Sequence, residues 1–198
     1  MKQITAKEFL AMIKENPSVF EDWETPLEIA EFVNCNYSPI TQLSPLLTFS
    51  GKDMEGNCAT FTNCPDLQIA TGTFHGCTDF GESGVQKIEN LHIKETNDMS
   101  WASMFWGCKN LQVATGNYPG FVTFYGSGIH SIQNLKIQNP DKWDYHAEFR
   151  KCPNLHTLQG WDLSKPIGIE PEKWAAEKAR RALQKFHKTT QPKELPFL

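Results

Sequence analysis

No stretch of this 198-residue sequence approaches about eighteen consecutive apolar residues, so a membrane-spanning helix is not expected. The N-terminal residues also lack the uninterrupted apolar segment of a secretion signal, because Lys7, Glu8 and Lys14 interrupt them. The six cysteines lack both the paired C-x-x-C spacing of zinc sites and the framework of small disulfide-rich domains. We therefore expect a cytoplasmic protein with reduced thiols and no metal or other cofactor.

Charge is distributed unevenly along the chain. Residues 164–198 contain eight Lys and Arg against four Asp and Glu, a net charge of +4, whereas residues 1–163 contain eleven against nineteen, a net charge of −8. The acidic body and the lack of a zinc-finger or RNA-binding signature argue against nucleic-acid binding. Nucleic-acid binding through the basic C-terminal segment stays open as an alternative, beside attraction to the acidic body or to an acidic partner.

A 44-residue repeat is the strongest signal in the sequence. The phrase "SGVQKIENLHI" at residues 83–93 returns as "SGIHSIQNLKI" at residues 127–137, with six of eleven residues identical. A second phrase, "NCPDLQIATG", returns twice, as "GCKNLQVATG" and "KCPNLHTLQG". A unit repeated at a fixed period predicts a stacked architecture, in which each copy completes the core of its neighbour.

Each 44-residue repeat contains two series of regularly spaced apolar residues. Each series marks one turn of the stacked chain, called here a coil, and successive coils alternate in length between about 26 and 18 residues. Their spacing, L-x-x-L-x-x-L-x-L, resembles a leucine-rich repeat. The motif F-x-x-C-x-x-L, beginning at Phe61, Phe105 and Phe149, is similar to the BspA-like type found in bacteria. The resemblance covers about residues 27–163 and implies an α/β repeat fold, a leucine-rich-repeat-like solenoid with a curved sheet. A β-solenoid of related shape is the alternative.

Both ends of the repeat are predicted to be capped by helices. Thr5 can cap a helix from Ala6 to about Glu15, and Pro171 opens a second helix that runs to about His187. The apolar side of the second helix consists of Trp174, Ala175, Ala179, Ala182, Leu183 and Phe186. Because this side is largely alanine, it does not favour binding to a membrane surface.

The sequence is therefore predicted to form a single domain in three parts. These are an N-terminal helical cap (residues 1–26), the repeat solenoid (27–163), and a basic C-terminal capping helix and tail (164–198). Near-helical spacing in residues 94–108 and 138–152 also predicts a short outer helix in each long coil.

Alternation along the strands of the short coils predicts an outward-facing polar surface, either solvated or used to bind a partner. Its residues are Asn90, His92, Lys94, Asn134, Lys136 and Gln138. Phe74 and Tyr118 occupy equivalent positions in neighbouring copies. If the register follows Trp161 and Leu163 inward, they face outward and join this surface, whereas a shift of one residue places them in the core.

The resemblance implies a non-enzymatic protein-protein interaction module that is bacterial, phage-encoded or an effector exported without a cleaved signal. Nothing in the sequence identifies a small-molecule substrate. Ser83 and Ser127 precede strands at the same repeat position, which favours a structural turn over a nucleophile. The alternative is an enzyme whose site lies on the outer helices, around Trp101, Trp106, Trp143, Asp144, Tyr145 and His146.

Overall fold

The computed structural model describes residues 1–138, 144–162 and 164–190, without the side chains of residues 184–190, and shows an α/β fold with parallel sheets and few helices. The helices are α1 (Ala6–Glu15) and α2 (Pro171–Thr190). The strands, in chain order, are β1 (Lys2–Ile4), β2 (Leu27–Ile29), β3 (Val33–Asn34), β4 (Leu47–Phe49), β5 (Asn57–Thr60), β6 (Ile69–Phe74), β7 (Cys77–Asp79), β8 (Lys87–Ile93), β9 (Trp101–Met104), β10 (Val113–Tyr118), β11 (Phe121–Thr123), β12 (Ser131–Ile137), β13 (Ala147–Glu148) and β14 (Ile167–Gly168).

From β2 to β13 the chain alternates between two layers of parallel strands. The first layer contains a five-stranded sheet, in the order β1, β2, β4, β6, β8, with the pair β10 and β12 beside it. The second layer is a seven-stranded sheet in the order β3, β5, β7, β9, β11, β13, β14. Residues that stand 44 apart therefore recur at equivalent positions two strands further along the same layer.

A column of stacked phenylalanine rings fills the space between the layers. Phe61, Phe80, Phe105, Phe124 and Phe149 have ring centroids 5.4, 5.3, 5.4 and 5.0 Å apart. These distances are close to the strand spacing of about 4.8 Å, so each successive strand of the second layer adds one ring. Burial of each ring stabilises the fold by about 1.5–3 kcal/mol.

A second column alternates cysteine and serine, at Cys64, Ser83, Cys108, Ser127 and Cys152. Ser83 Oγ lies 3.6 Å from Cys108 Sγ, and Ser127 Oγ lies 3.5 Å from Cys152 Sγ. The serines thus take the cysteine position in the shorter turns of the repeat, which agrees with a structural role. All six cysteines are buried free thiols, and burial raises the pKa of Cys64 to about 11.

Helix α1 forms over the predicted residues, with Thr5 as its N-cap, and packs against the first end of the core. The backbone N–H of Glu8 donates to Thr5 Oγ1 at 3.2 Å, while the N–H of Thr5 donates to Glu8 Oε2 at 2.8 Å. This reciprocal arrangement satisfies N–H groups that have no partner within the helix. Phe9 on the inner face stacks on Phe20 at 5.0 Å, so the helix seals the adjacent rings from solvent.

Helix α2 forms at the predicted place but packs with a different face. Of its predicted apolar side, Trp174 is half-buried against the core, whereas Ala175, Ala179 and Ala182 are exposed and Leu183 is 61% exposed; the side chain of Phe186 lies outside the described residues. The buried side chain is instead Glu177, which is 4% exposed. Among the described residues, neither helix is both long and apolar enough to cross a membrane.

The different face of α2 follows from its bonds to two backbone carbonyls at the end of the last repeat, of which that of Leu158 also accepts from the N–H of Trp161. Arg181 donates to the carbonyl of Trp161 at 2.9 Å and to that of Leu158 at 2.5 Å. Glu177 accepts from Arg181 and from Arg180, at 2.7 and 2.6 Å, and the bonds from Arg180 help to lower the pKa of Glu177 to about 2. The helix therefore docks through charged groups that satisfy the end of the repeat.

The predicted outer helix in residues 94–108 is wrong, because β9 forms there. The register of β9 against β11 is irregular between Phe121 and Val122, so Ala102 and Ser103 are both buried in succession. Such a bulge changes the spacing of inward side chains and imitates a helical period. The other predicted helix, in residues 138–152, lies partly outside the described residues, and its described part contains β13.

Candidate binding surfaces

Phe74 and Tyr118 belong to the core, so their assignment to a partner-binding surface is wrong. Phe74 is fully buried and stacks on Phe49 at 4.6 Å, and Tyr118 is 1% exposed. The register explains the inward direction, because Phe74 is aligned with Ile93 and Tyr118 with Ile137, which are both buried. Tyr118 Oη donates to the carbonyl of Thr115 at 3.0 Å, which gives the buried hydroxyl a partner.

The six predicted polar residues are all exposed on the outer face of the first layer. Five of them line one groove of about 640 Å³ along β8, β10 and β12, called here the polar groove: Asn90, His92, Lys94, Asn134 and Lys136. Gln138 lies just beyond the end of β12 and is not part of its lining. The structure thus brings together residues that are 44 positions apart in the sequence.

The polar groove lies where the first layer is interrupted. Within the described residues, β8 pairs only with β6 and β10 only with β12, although β8 and β10 are neighbours. Pro119 stands at this interruption, 44 residues after His75. The N–H of His75 donates to the carbonyl of Phe49 at 2.9 Å, whereas proline has no N–H to donate to Ile93 at the matching position.

The groove is positively charged in an otherwise acidic body. Its ionisable lining residues are Lys94, Lys136 and His92, and no Asp or Glu is found among the described residues that line it. Asn90 and Asn134 also have a local structural reason, since both adopt left-handed backbone conformations, with φ of 50° and 51°. Asparagine tolerates this conformation better than most residues, so these two side chains shape the strands as well as the surface.

The outer face of the second layer contains a cluster that the sequence did not reveal as a unit. We call it the aromatic grid. Three residues on or beside each of the strands β9, β11 and β13 line one open groove of about 430 Å³. The nine residues are Trp101, Met104 and Trp106, then Phe121, Thr123 and Tyr125, then Tyr145, Glu148 and Arg150.

The grid has three rows that run across the strands. Thr123 is aligned with Met104 on one side and with Glu148 on the other, and these three residues form the middle row. One outer row consists of Trp101, Phe121 and Tyr145, whose ring centroids lie 4.6 and 5.8 Å apart along the row. The other outer row consists of Trp106, Tyr125 and Arg150, as the hydrogen bonds of the following residues show.

Arg150 is held rigidly within the grid. Its guanidinium donates to both carboxylate oxygens of Glu148 at 2.7 Å, and one nitrogen also donates to Tyr145 Oη at 2.8 Å. Glu148 is buried, and its hydrogen bonds raise the pKa of the Arg150 guanidinium above its usual range. The pair therefore fixes the position of the guanidinium beside the rings.

The aromatic character of the grid is local rather than a property of the repeat. The matching outward positions on β5 and in the turn after it are Asn57, Thr60 and Thr62, and those of the next strand are Cys77, Asp79 and Gly81. The same fold thus tolerates small or polar residues at these positions. Aligning Thr62 with Trp106 and Arg150, at the 44-residue period, is the sequence signal that could have revealed this change.

Some residues of the alternative enzyme site do come together. Trp101, Trp106 and Tyr145 all line the aromatic grid, on or beside strands rather than on helices. Trp143 lies outside the described residues. The groove is open and is lined by one ion pair among apolar and aromatic side chains.

The remaining residues of that site lie away from the lining. Asp144 is exposed, and His146 is partly buried, with no hydrogen-bond partner for its Nδ1 in the described part of the chain. Burial lowers the pKa of His146. The described residues contain no group of three or more His, Cys, Asp or Glu placed to bind a metal ion. An enzymatic site here stays a prediction.

Comparisons of this chain with models of protein families, with characterised proteins and with solved structures found no match.

Proposed function

We propose that this chain is a protein-recognition module, built as a leucine-rich-repeat-like solenoid over about residues 27–163, that binds an acidic segment of a partner in the polar groove. The 44-residue period and the alternation of strands between two layers support the solenoid interpretation. Stacked repeats of this kind offer extended surfaces on which a partner chain can lie.

The observation that carries the proposal is the coincidence of charge and shape at one place. The groove lies where β8 and β10 are not paired, with Lys94 directly after β8 and Lys136 on β12, the next strand after β10 in this layer. A positive groove on a body of net charge −8 selects a negatively charged ligand, because the rest of the surface repels it.

An extended peptide segment fits this groove better than a small molecule does. The groove is open and follows three strands, and its polar groups are spread along it rather than converging on one point. Asparagine side chains can both donate to and accept from a peptide backbone, which suits recognition of an extended chain.

The test measures binding of a fluorescent acidic peptide of about ten residues to the intact protein and to the double variant Lys94→Glu, Lys136→Glu. We expect the double variant to bind about tenfold to a hundredfold more weakly, since two attractive charges become repulsive. Affinity of the intact protein should also fall as salt is added.

Lys87→Glu is the matched control, because Lys87 lies on the same strand, is exposed, and is not part of the groove lining. It changes the net charge of the protein by half as much as the double variant and should leave affinity nearly unchanged. Equal weakening by the control, or equal binding of a basic peptide, would show that the groove is not the binding site.

A further inference from the structure

The aromatic grid forms a valley that runs along the repeat axis, across the strands. Large aromatic side chains stand in both outer rows. They are Trp101 and Tyr145 in one row and Trp106 and Tyr125 in the other. On β11 and β13 the middle row is low, since Thr123 and Glu148 are almost fully buried, whereas Met104 on β9 is half-buried and Phe121 of the first outer row is 1% exposed. A ligand in this valley would therefore lie perpendicular to the strands, with aromatic rings on both sides.

The spacing along the valley matches one kind of peptide. Positions two strands apart in a sheet repeat at about 9.6 Å. A polyproline II helix has three residues per turn and rises about 3.1 Å per residue, so its equivalent residues repeat at about 9.3 Å. Residues i and i+3 of such a helix can therefore meet equivalent positions on β9 and β13.

The chemistry of the lining agrees with this spacing. Proline-rich segments are recognised by grooves lined with aromatic rings, because the ligand is already rigid and loses little entropy on binding. The rows of the grid provide Trp, Tyr, Met and Arg, residue types that are enriched in protein interfaces. The matching positions of β5 and β7 show that the fold does not require these residues.

Charge distinguishes the two ends of the valley. Arg150 stands at one end, paired with Glu148, and the adjacent Lys151 places its amino group 5.2 Å from the ring centroid of Tyr125. The carboxylate of Glu148 balances only one of these two cations. Glu170 accepts from the backbone N–H of Lys151 and pairs with Lys173, and the exposed ammonium of Lys151 beside Tyr125 can pair with an acidic residue of the ligand.

We propose that the aromatic grid binds a proline-rich segment of a partner protein in the polyproline II conformation, with prolines at every third position and an acidic residue at the Arg150 end. This site is on the opposite layer from the polar groove and does not depend on it. A partner that carries both an acidic and a proline-rich segment could occupy the two surfaces together, which would strengthen binding through effective concentration.

The test uses isothermal titration calorimetry. The protein is titrated with a set of peptides of about ten residues, each with proline at every third position and one terminal aspartate. The comparison set replaces the prolines with alanine and keeps the charge. We expect the proline peptides to bind at least about tenfold more tightly, because the alanine peptides must lose more conformational freedom.

Three variants locate the site. Trp106→Ala and Tyr125→Ala should each weaken proline-peptide binding by about tenfold or more, since aromatic residues of this kind dominate binding energies. Tyr37→Ala is the control, because Tyr37 is a 78% exposed aromatic residue outside the grid. Circular dichroism establishes that each variant is folded.

A fourth variant tests orientation without removing a ring. Lys151→Glu should shift the preference from an acidic to a basic terminal residue, because Lys151 is exposed and a carboxylate replaces its ammonium beside Tyr125. The double variant Lys94→Glu, Lys136→Glu should bind the proline peptides as the intact protein does, which separates this proposal from the polar groove.

Several results would overturn the proposal. These are absence of binding by every proline peptide, equal binding of the alanine peptides, and unchanged affinity in both Trp106→Ala and Tyr125→Ala. Binding of a neutral glucan oligosaccharide at the grid with no binding of the peptides would overturn it as well, and would show that the rings stack on sugars instead.

Discussion

Glycines near the corner after each strand of the second layer serve two different purposes, and single substitutions can separate them. Gly126 has a φ of 68°, and an added Cβ would meet only the end of the Lys109 side chain at 3.8 Å. Glu82, 44 residues earlier, and Lys151, in the corresponding turn of the next strand, have φ of 52° and 58°, so side chains are tolerated in this conformation. A Cβ on Gly128 would instead lie 2.0 Å from the backbone carbonyl oxygen of Lys109.

We therefore predict that Gly126→Ala lowers the free energy of unfolding by about 1 kcal/mol, the cost of a left-handed backbone for a residue with a Cβ. Gly128→Ala should lower it by about 3 kcal/mol or more, because the neighbouring backbone must move. Guanidinium denaturation of both variants beside the intact protein measures the two costs. An equal or larger loss in Gly126→Ala would contradict the assignment of close packing to Gly128.

At this scale the sequence predicted the polar residues of the first layer but not the direction of the rings between them. Asn90, His92 and their counterparts are polar in both copies, so alternation alone placed them outside. The direction of Phe74 depended on the register near Gly72, where the pairing with β8 shifts. A one-residue shift exchanges the two faces of a strand, and propensity does not determine it.

Among the elements, Pro119 stands at the interruption between β8 and β10, and its contribution can be tested by substitution. We predict that Pro119→His, which introduces the residue found at the equivalent position of β6, joins the five-stranded and two-stranded sheets. The restored bond to the carbonyl of Ile93 should raise the free energy of unfolding by about 1 kcal/mol. Hydrogen exchange should show a protected amide at residue 119.

The same variant also bears on function. If the polar groove needs the interruption, Pro119→His should weaken binding of the acidic peptide while Lys94 and Lys136 are still present. The matched control is Pro153→His, at an exposed proline outside that groove. An unprotected amide at residue 119 would show that proline is not what separates the strands.

Element prediction succeeded where the signal was local and failed where it depended on a neighbour. The N-cap at Thr5 and the opening proline at Pro171 were sufficient to place both helices. The face that α2 buries was missed because it is determined by carbonyls of Leu158 and Trp161, which the helical period of α2 itself does not indicate. Residues 94–108 were misassigned because a bulge altered the strand period.

For the whole molecule, the repeat predicts that one complete 44-residue unit can be removed. Deletion of residues 85–128 joins Gly84 to Ile129. Ile129 is the equivalent of Val85 in the next copy, so the repeat continues in phase across the junction. The phenylalanine and cysteine-serine columns then close over a shorter core. We expect a folded, less stable protein that binds neither the acidic nor the proline-rich peptide, since Lys94, Pro119 and most of the aromatic grid are lost.

Circular dichroism and thermal unfolding of this deletion measure the outcome. Deletion of residues 85–106, half as long, is the control. It removes half of a period, so the residues after the junction no longer fall at equivalent positions of the repeat. We expect the control to lose cooperative unfolding, as nearest-neighbour contacts between repeats supply much of the stability. Similar folding of both deletions would contradict the role assigned to the 44-residue period.

The overall arrangement was the most predictable part of the molecule, because the period is visible in the sequence itself. Cys64, Cys108 and Cys152 stand 44 residues apart, and the structure places them in one column. The surfaces were less predictable, since they arise where copies differ rather than where they agree. The polar groove lies where proline replaces histidine between copies, and the grid includes a tryptophan where the earlier copy has threonine.

The break at Pro119 also has a mechanical consequence. The seven-stranded sheet of the second layer continues without interruption behind the break and stiffens the molecule there. The first layer has a seam, the unpaired boundary between β8 and β10, and the continuous second layer is called here the spine. Any widening of the seam must bend the spine at β9, the strand between the two sides of the break in chain order. Because β9 carries Trp101 and Trp106, a load that opens one face of the molecule strains the other.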